Sequence, residues 1–285
     1  MNTKKLGQLK SQIPGDLVKR IDHLEEDFNN RPKDKAGNKI ATFDLDNTLL
    51  EEDVGEAVFF QLQIDEKKAP LTIDQKRIPF TWGDYQALLE EDKKMEAYTR
   101  AVTAMAGIPI ETITDTTRRV MESNDRFLEL AGSRVPLPSP NPVMQALVDY
   151  LKSLAYEIYI ISASNHFSVR YVARVYFGIQ EPRVFGMKSR VTDIKHPISG
   201  KKVTVLKDQL IEPVTVGEGK AGTYKMFIGS VQPLITAGDS TTDIQVFNLS
   251  DRDGLIIWVG KDDKKLAWVK EQVTHPENVY FLKRG

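Results

Sequence analysis

Two aspartates placed where an apolar strand runs out constrain this chain more tightly than any other feature. In IATFDLDNTLL, a strand-forming run from Ile40 ends in Asp44-Leu45-Asp46-Asn47-Thr48. Side chains alternate along an extended backbone, so Asp44 and Asp46 point the same way and bring two carboxylates together. Like charges at a buried strand end repel and lose hydration, so the pair requires a cation or a retained proton. Mg²⁺ suits such a position, being a hard ion that takes carboxylate and carbonyl oxygen and shares its site with phosphate.

The strand-then-polar pattern recurs at YEIYIISAS (156–164), PLITAGDS (233–240) and GLIIWVG (254–260). Runs this apolar fit parallel strands covered on both faces. Helix-like stretches such as PNPVMQALVDYLKSLA and HFSVRYVARVYFGI lie between them. Such alternation predicts an α/β fold, a doubly wound, Rossmann-like parallel sheet with its ligands at the carboxyl ends of the strands.

Two insertions interrupt the alternation. Residues 51–140 are mostly helical in pattern, including WGDYQALLEEDKKMEAYTRAVTAMAG and IETITDTTRRVMESNDRFLELAG. That is too long for a strand-to-helix loop, and a helical cap domain is expected. Within 190–216, TDIKHPISGKKVTVL reads as a hairpin turning at Ser199-Gly200, followed by an extended segment up to PVTVGEGKAG. Residues 1–35 form an amphipathic helical lead-in with Leu17, Ile21, Leu24 and Phe28 on one face, expected to pack on the body. Turn-rich NRPKDKAGNK then leads into the first strand, so the core spans 36–50 and 141–285.

Composition narrows the chemistry. Lys and Arg total 39 against 40 Asp and Glu, with no long basic block, which gives neither nucleic acid nor an anionic membrane a surface to grip. The chain has no cysteine, which excludes disulfides, thiolate metal sites and cysteine nucleophiles. The charged N-terminal region offers no apolar signal core or span, so a cytoplasmic protein, monomer or homodimer, is expected.

Three further segments bring chemistry to the strand ends. Gly238-Asp239-Ser240-Thr241-Thr242-Asp243 can add carboxylates to the Asp44-Asp46 edge; alone, a Gly-Asp step after a strand is usually just a turn. In Ser162-Ala163-Ser164-Asn165 a strand gives way to a helix. Ser162 is the candidate site hydroxyl, whereas Ser164 and Asn165 read as ordinary helix N-caps. Lys220, between glycines ahead of the helix-like TYKMFIGS, could neutralise a phosphate. His166 reads as an exposed first-turn histidine.

Together, DxDxT, the strand-end serine, the lysine and GDxxxD resemble the motif set of the haloacid dehalogenase (HAD) superfamily of phosphatases, from about Ile40 to the end of the chain. The resemblance implies a Mg²⁺-dependent phosphomonoesterase acting through an aspartyl-phosphate intermediate. Asp44 would be the nucleophile and Asp46 the general acid and base, with Ser162 and Lys220 cancelling phosphate charge. Asp44, the Asp46 backbone carbonyl and Asp239 would hold the metal, with Asp243 bound nearby, and Thr48 would orient the loop. An acid at Asp46 separates phosphatases from the dehalogenase branch.

Within the superfamily the chain looks like the phosphoserine phosphatases and, more loosely, the bacterial phosphorylcholine phosphatases, through GDSTTDIQVFN, LIIWVG, PFTWGDY and LLEEDKKMEAYTRAV. That points to a small, amine-bearing phosphomonoester such as phosphoserine, phosphocholine or phosphoethanolamine. Asp53 matches the acid that meets the substrate ammonium. Thr48 and Ala163 are further candidate substrate contacts, and Trp82, Tyr85 and Phe59 could offer aromatic faces, although such residues more often fill cores. Arg100 is the nearest candidate for a carboxylate-binding arginine. The same residues would also permit phosphotransfer to an alcohol, or a silent metabolite-binding module.

Overall fold

The structure, a computed structural model, describes residues 3–32, 37–74, 76, 78–197 and 199–284. It opens with two helices where one lead-in was expected: α1 (Thr3–Lys10) and α2 (Gly15–Asn29), broken before Pro14. Leu17, Ile21 and Leu24 of α2 are buried and Phe28 packs partly against the same core, as their three- and four-residue spacing requires. Polar contacts anchor the pair. Lys10 meets Asp22 at 2.7 Å, Tyr150 donates to Asp22, and Arg31 grips Asp251 through two nitrogens at 2.9 and 2.7 Å. The middle of the expected turn, residues 33–36, lies outside the described residues.

β1 (Ile40–Phe43) is buried throughout and runs into a tight turn and the short β2 (Leu50–Glu51). Then come four helices, α3 (Val54–Glu66), α4 (Trp82–Glu90), α5 (Lys94–Thr103) and α6 (Ile110–Glu122). The helical reading of 110–132 fails past Glu122. Phe127–Leu130 (β3) and Ser133–Pro136 (β4) form an antiparallel hairpin, turning at Ala131 and Gly132, both with positive φ. Ser123, Asn124 and Asp125 are turn formers, and they end the helix. β5 (Ser139–Pro140) pairs with β2, so the two ends of the 51–140 insertion sit side by side.

The alternation resumes with α7 (Pro142–Ser153), β6 (Glu157–Asn165), α8 (His166–Phe177) and β7 (Val184–Met187). Next come the expected hairpin of β8 (Ser189–Lys195) and β9 (Lys202–Leu210), then α9 (Glu218–Phe227) and β10 (Ile235–Gly238). The chain closes with α10 (Ile244–Phe247), β11 (Leu255–Gly260), α11 (Leu266–Gln272) and β12 (Val279–Lys283). Six parallel strands form one sheet in the order β12-β11-β10-β1-β6-β7. β7 and β12 escaped the sequence reading because edge strands of four and five residues carry no long apolar run. β1 lies centrally, with chain-later strands on either side, so the crevice of a doubly wound sheet opens at its carboxyl end.

The second insertion is tied to the first. Gly107 N donates to Leu206 O at 2.8 Å and Leu206 N to Ile108 O at 3.1 Å, while the side chains of Val205 and Leu206 are buried.

His166 departs from expectation. It opens α8 but is buried, with Nε2 3.0 Å from Glu181 and Nδ1 accepting from Gly186 N at 3.2 Å. Burial outweighs the attraction of Glu181 and, with Lys188 and Arg170 nearby, pushes its pKa down to about 4. The folded chain therefore holds fewer protons than the unfolded chain between about pH 6.5 and 4, and His166 costs stability progressively as pH falls through that window. Chemical denaturation of wild type and His166→Gln at pH 7.5 and 4.5 is expected to show the variant less stable at neutral pH. The gap should narrow by about 2.5 kcal/mol on acidification.

Candidate active site

Loops from the carboxyl ends of β1, β6 and β10 converge on one cavity. Asp44 extends the β1–β10 ladder by one residue, its N–H donating to Ala237 O at 2.9 Å. The backbone then leaves the strand. Asn47 adopts a left-handed φ of 57°, tolerable for Asn, so Asp46 reaches the cavity through a turn and not by strand alternation. The two carboxylates nonetheless line the same space.

Asp46 is held by three donors. Val54 N reaches Oδ1 at 2.8 Å, and the Ser162 and Ser164 hydroxyls reach Oδ2 at 3.0 and 2.7 Å. Ser164 is therefore a site residue and not an N-cap; its neighbour Asn165 does cap α8, accepting from Phe167 N at 2.9 Å. β6 keeps Ser164 in the strand, as the apolar run implied, and helix α8 starts only after Asn165. Burial raises the Asp46 pKa, opposed by Ser164, Val54 N and Ser162.

Lys220 is only 2% exposed. Its ammonium donates to Asp44 Oδ1 at 2.7 Å and Asp243 Oδ1 at 2.6 Å. Helix α9 begins at Glu218, earlier than TYKMFIGS suggested, and places Lys220 in its first turn. Gly219 makes this possible, since a Cβ there would stand 1.7 Å from Val214 O. Burial alone would favour neutral lysine, but Asp243 and Asp44 overrule it and hold the ammonium charged. Asp243 sits in a short turn closed by Ser240, whose N and Oγ reach Oδ2 at 3.0 and 3.1 Å. A Cβ at Gly238 would lie 2.5 Å from the Asp243 carboxyl carbon, so that position must be glycine.

Asp44, Asp239 and Asp243 each bring a carboxylate oxygen within 4.8 Å of the others. Burial raises Asp44 well above the usual range despite Lys220. Burial and Asp243 push Asp239 up to about 7, against the pull of Lys220 and Arg284. One ammonium does not neutralise three carboxylates, two of them buried and Asp239 half-buried. The donor set is all oxygen and the charge excess is negative, which fits Mg²⁺.

Away from this cluster the cavity, about 70 Å³, is walled by the helical insertion. Asp53 caps α3, accepting from Glu56 N at 2.8 Å; Glu56 accepts from the Tyr85 hydroxyl at 2.8 Å. Asp53, Glu56, Phe59, Tyr85, Tyr98 and Met105 face the space, and burial drives both acids upward. Lys220 is the only cationic side chain among the described residues lining it. Ala163 lines the cavity, whereas Trp82 stacks behind Tyr85 with centroids 5.1 Å apart. Thr48 is fully buried off the cavity wall, its hydroxyl without a hydrogen-bond partner among the described residues. Arg100 lies outside, paired with Glu96 at 3.4 Å and set over the Phe80 ring.

Glu56, Tyr98 and Ser164 were missed. Glu56 had a signal: a lone acid one helical turn after Asp53, inside the otherwise apolar VGEAVFF.

No protein-family model matches the sequence, and no curated protein does either. Solved structures do match. A functionally unknown protein from Anaerococcus prevotii aligns over 87% of this chain and 90% of its own at 15% identity, with a TM-score of 0.57. A HAD family hydrolase from Salmonella enterica serovar Typhi aligns over 86% of this chain and 69% of its own, at 15% identity and a TM-score of 0.53. A phosphoserine phosphatase captured as a phospho-aspartyl intermediate analogue aligns over 87% and 94%, at 15% identity and a TM-score of 0.51. The chain has the HAD fold in its phosphoserine phosphatase-like form. The likeness lies in the fold, the six-stranded parallel sheet flanked by helices.

Mg²⁺ is expected to raise the thermal melting temperature of the protein and EDTA to reverse the shift, by about 2.7 kcal/mol of added stability at a hundredfold excess over Kd. Asp239→Asn should abolish the shift. Identical melting of wild type with Mg²⁺ and with EDTA would rule out this ligand set.

Proposed function

We propose that the protein is a phosphatase that releases inorganic phosphate from a small, amine-bearing phosphomonoester through an aspartyl phosphate on Asp44. The observation that carries this reading is the pairing of Asp44, one oxygen held by a buried lysine, with a second carboxylate at Asp46 on the same cavity. A nucleophile and an acid so placed have a poor structural rationale and a good chemical one.

Lys220 fixes Oδ1 of Asp44, which leaves Oδ2 to attack phosphorus while the ester oxygen departs. Asp46, its pKa raised by burial, gives the departing oxygen a proton. It then takes a proton from the water that opens the aspartyl phosphate, which returns Asp44 and frees phosphate. The Lys220 ammonium offsets the charge of the phosphoryl oxygens, while Ser162, fully buried and not among the residues lining the cavity, holds Asp46 through its hydroxyl. Mg²⁺ held by Asp44, Asp239, Asp243 and the Asp46 carbonyl would supply further charge neutralisation at the phosphate.

The helical insertion acts as a cap that shields the phosphoryl group from bulk water. Its side of the cavity supports an amine-bearing leaving group: Asp53 and Glu56 offer negative charge, and Phe59, Tyr85 and Tyr98 offer ring faces. The cavity's size favours small substrates over macromolecular phosphate.

Phosphate release should be measured with Mg²⁺ and with EDTA over phosphoserine, phosphocholine, phosphoethanolamine, sugar phosphates and nucleotides. Metal-dependent release concentrated on amino-alcohol phosphates and abolished in Asp44→Asn is expected; release that persists in Asp44→Asn would end the covalent mechanism. In kcat/KM, which reports phosphoryl transfer to Asp44 and not the later hydrolysis common to all substrates, Asp46→Asn should slow alkyl phosphates about 10²- to 10⁴-fold, and p-nitrophenyl phosphate, whose leaving group needs no proton, far less. Equal losses on both substrates would remove the acid role from Asp46.

A further inference from the structure

The turn that carries Asp46 is under conformational load. Between Asp44 and the start of α3 the chain reverses within a few residues, and two non-glycine residues, Asn47 at φ 57° and Glu52 at φ 66°, take the left-handed conformation. Such residues persist only where the surroundings hold them. Within the turn, Asn47 N donates to Glu52 O at 3.1 Å. Val54 N, Ser162 and Ser164 hold the Asp46 carboxylate and β5 pairs with β2; a further restraint comes from the far end of the sequence.

Arg284 follows β12, its N–H donating to Gly260 O at 2.7 Å. The side chain is 8% exposed and reaches the turn. Nη1 donates to the Asn47 side-chain oxygen, and Nε stands 3.6 Å from a Glu51 carboxylate oxygen. Lys261, at the end of the neighbouring strand, reaches Glu52 at 3.4 Å. Asn47 itself lines the reaction cavity, and the adjoining residue is the Asp46 whose carboxylate must meet both substrate and water. Burying a guanidinium is costly unless its charge and donors are used. Here its close contacts are one amide and one carboxylate of the same turn, its charge also acts on Asp239, and its Nε has no hydrogen-bond partner among the described residues. An interaction serving stability alone would be better met by an apolar side chain of similar volume.

We infer that Arg284 is a positioning residue, which acts through Asn47 and Glu51 to hold the turn that sets Asp46 against the substrate. The inference rests on the phosphatase reading above. Lys261 backs the same turn more weakly, being 62% exposed on its side chain. A planar, forked donor is required, because one group must address an amide and a carboxylate that lie in different directions.

Steady-state phosphate release and thermal melting should be measured for wild type, Arg284→Gln, Arg284→Lys, Asn47→Gly and the Arg284→Gln/Asn47→Gly pair. Asp44→Asn serves as the inactive control. Glycine keeps the left-handed turn while removing the amide, so Asn47→Gly probes the contact even if the arginine variants fail to fold. Arg284→Gln and Asn47→Gly are each expected to lower kcat about tenfold with KM within twofold. Arg284→Lys should recover only part of the loss, and the double variant should fall no further than the worse single, the mark of residues acting as one unit. In kcat/KM on p-nitrophenyl phosphate, whose transfer to Asp44 needs no proton from Asp46, the losses should shrink to about twofold or less.

Wild-type kcat in folded Arg284→Gln or Asn47→Gly, a loss confined to KM, or additive losses in the double variant would overturn the inference while leaving the phosphatase reading intact. A wild-type protein that releases no phosphate from any substrate, like its Asp44→Asn control, would overturn that reading and this inference with it.

Discussion

The site is organised by one buried ammonium. Lys220 stands between Asp44 and Asp243 with bonds of 2.7 and 2.6 Å and almost no contact with water. Without it, Asp44, Asp239 and Asp243 would crowd the ends of β1 and β10 with negative charge, and removing one partner of a buried ionic group is strongly destabilising. Much of the local architecture serves this contact. Gly219 lets α9 approach the Val214 carbonyl so that the lysine can enter, and Gly238 leaves the space that Asp243 fills. Ser240 turns Asp243 toward the ammonium by occupying its other oxygen.

Charge in the cavity is divided between two ends. The core end carries Lys220 together with the carboxylates suited to Mg²⁺, while the end walled by the helical insertion carries Asp53, Glu56 and aromatic rings. An anionic group is matched at one end and a cationic one at the other. This separation is what a zwitterionic or cationic phosphomonoester presents, and it connects the geometry of the site to the proposed choice of substrate.

Around the site, structural elements hold the two parts of the molecule together. The short β2–β5 pairing joins both ends of the helical insertion, and the β8–β9 hairpin bonds to it through Gly107, Ile108 and Leu206. The Asp46 turn lies at this junction: α3 starts where Val54 N bonds to Asp46, and Arg284 supports the turn. Local chain reversal, acid placement and attachment of the insertion are thus carried by the same few residues.

Local patterns gave the sequence its legible part. Apolar runs giving way to polar residues revealed four strands, two of them ending in aspartates, because burial on both faces and exposure at the tip leave a signature within ten or so residues. Helical spacing showed the inward face of α2 through Leu17, Ile21 and Leu24. Chain-distant packing decided the rest. The edge strands β7 and β12 become strands by pairing with longer neighbours, and His166 is buried because Glu181 and Gly186 close over it. Ser164 joins the site, and Arg284 reaches a turn 237 residues away, through contacts between segments that share no local pattern. Sequence determined which side chains could carry charge at the strand ends. Only the tertiary structure decided which of them meet, since that depends on strand order and helix entry, quantities set by the packing of the whole core.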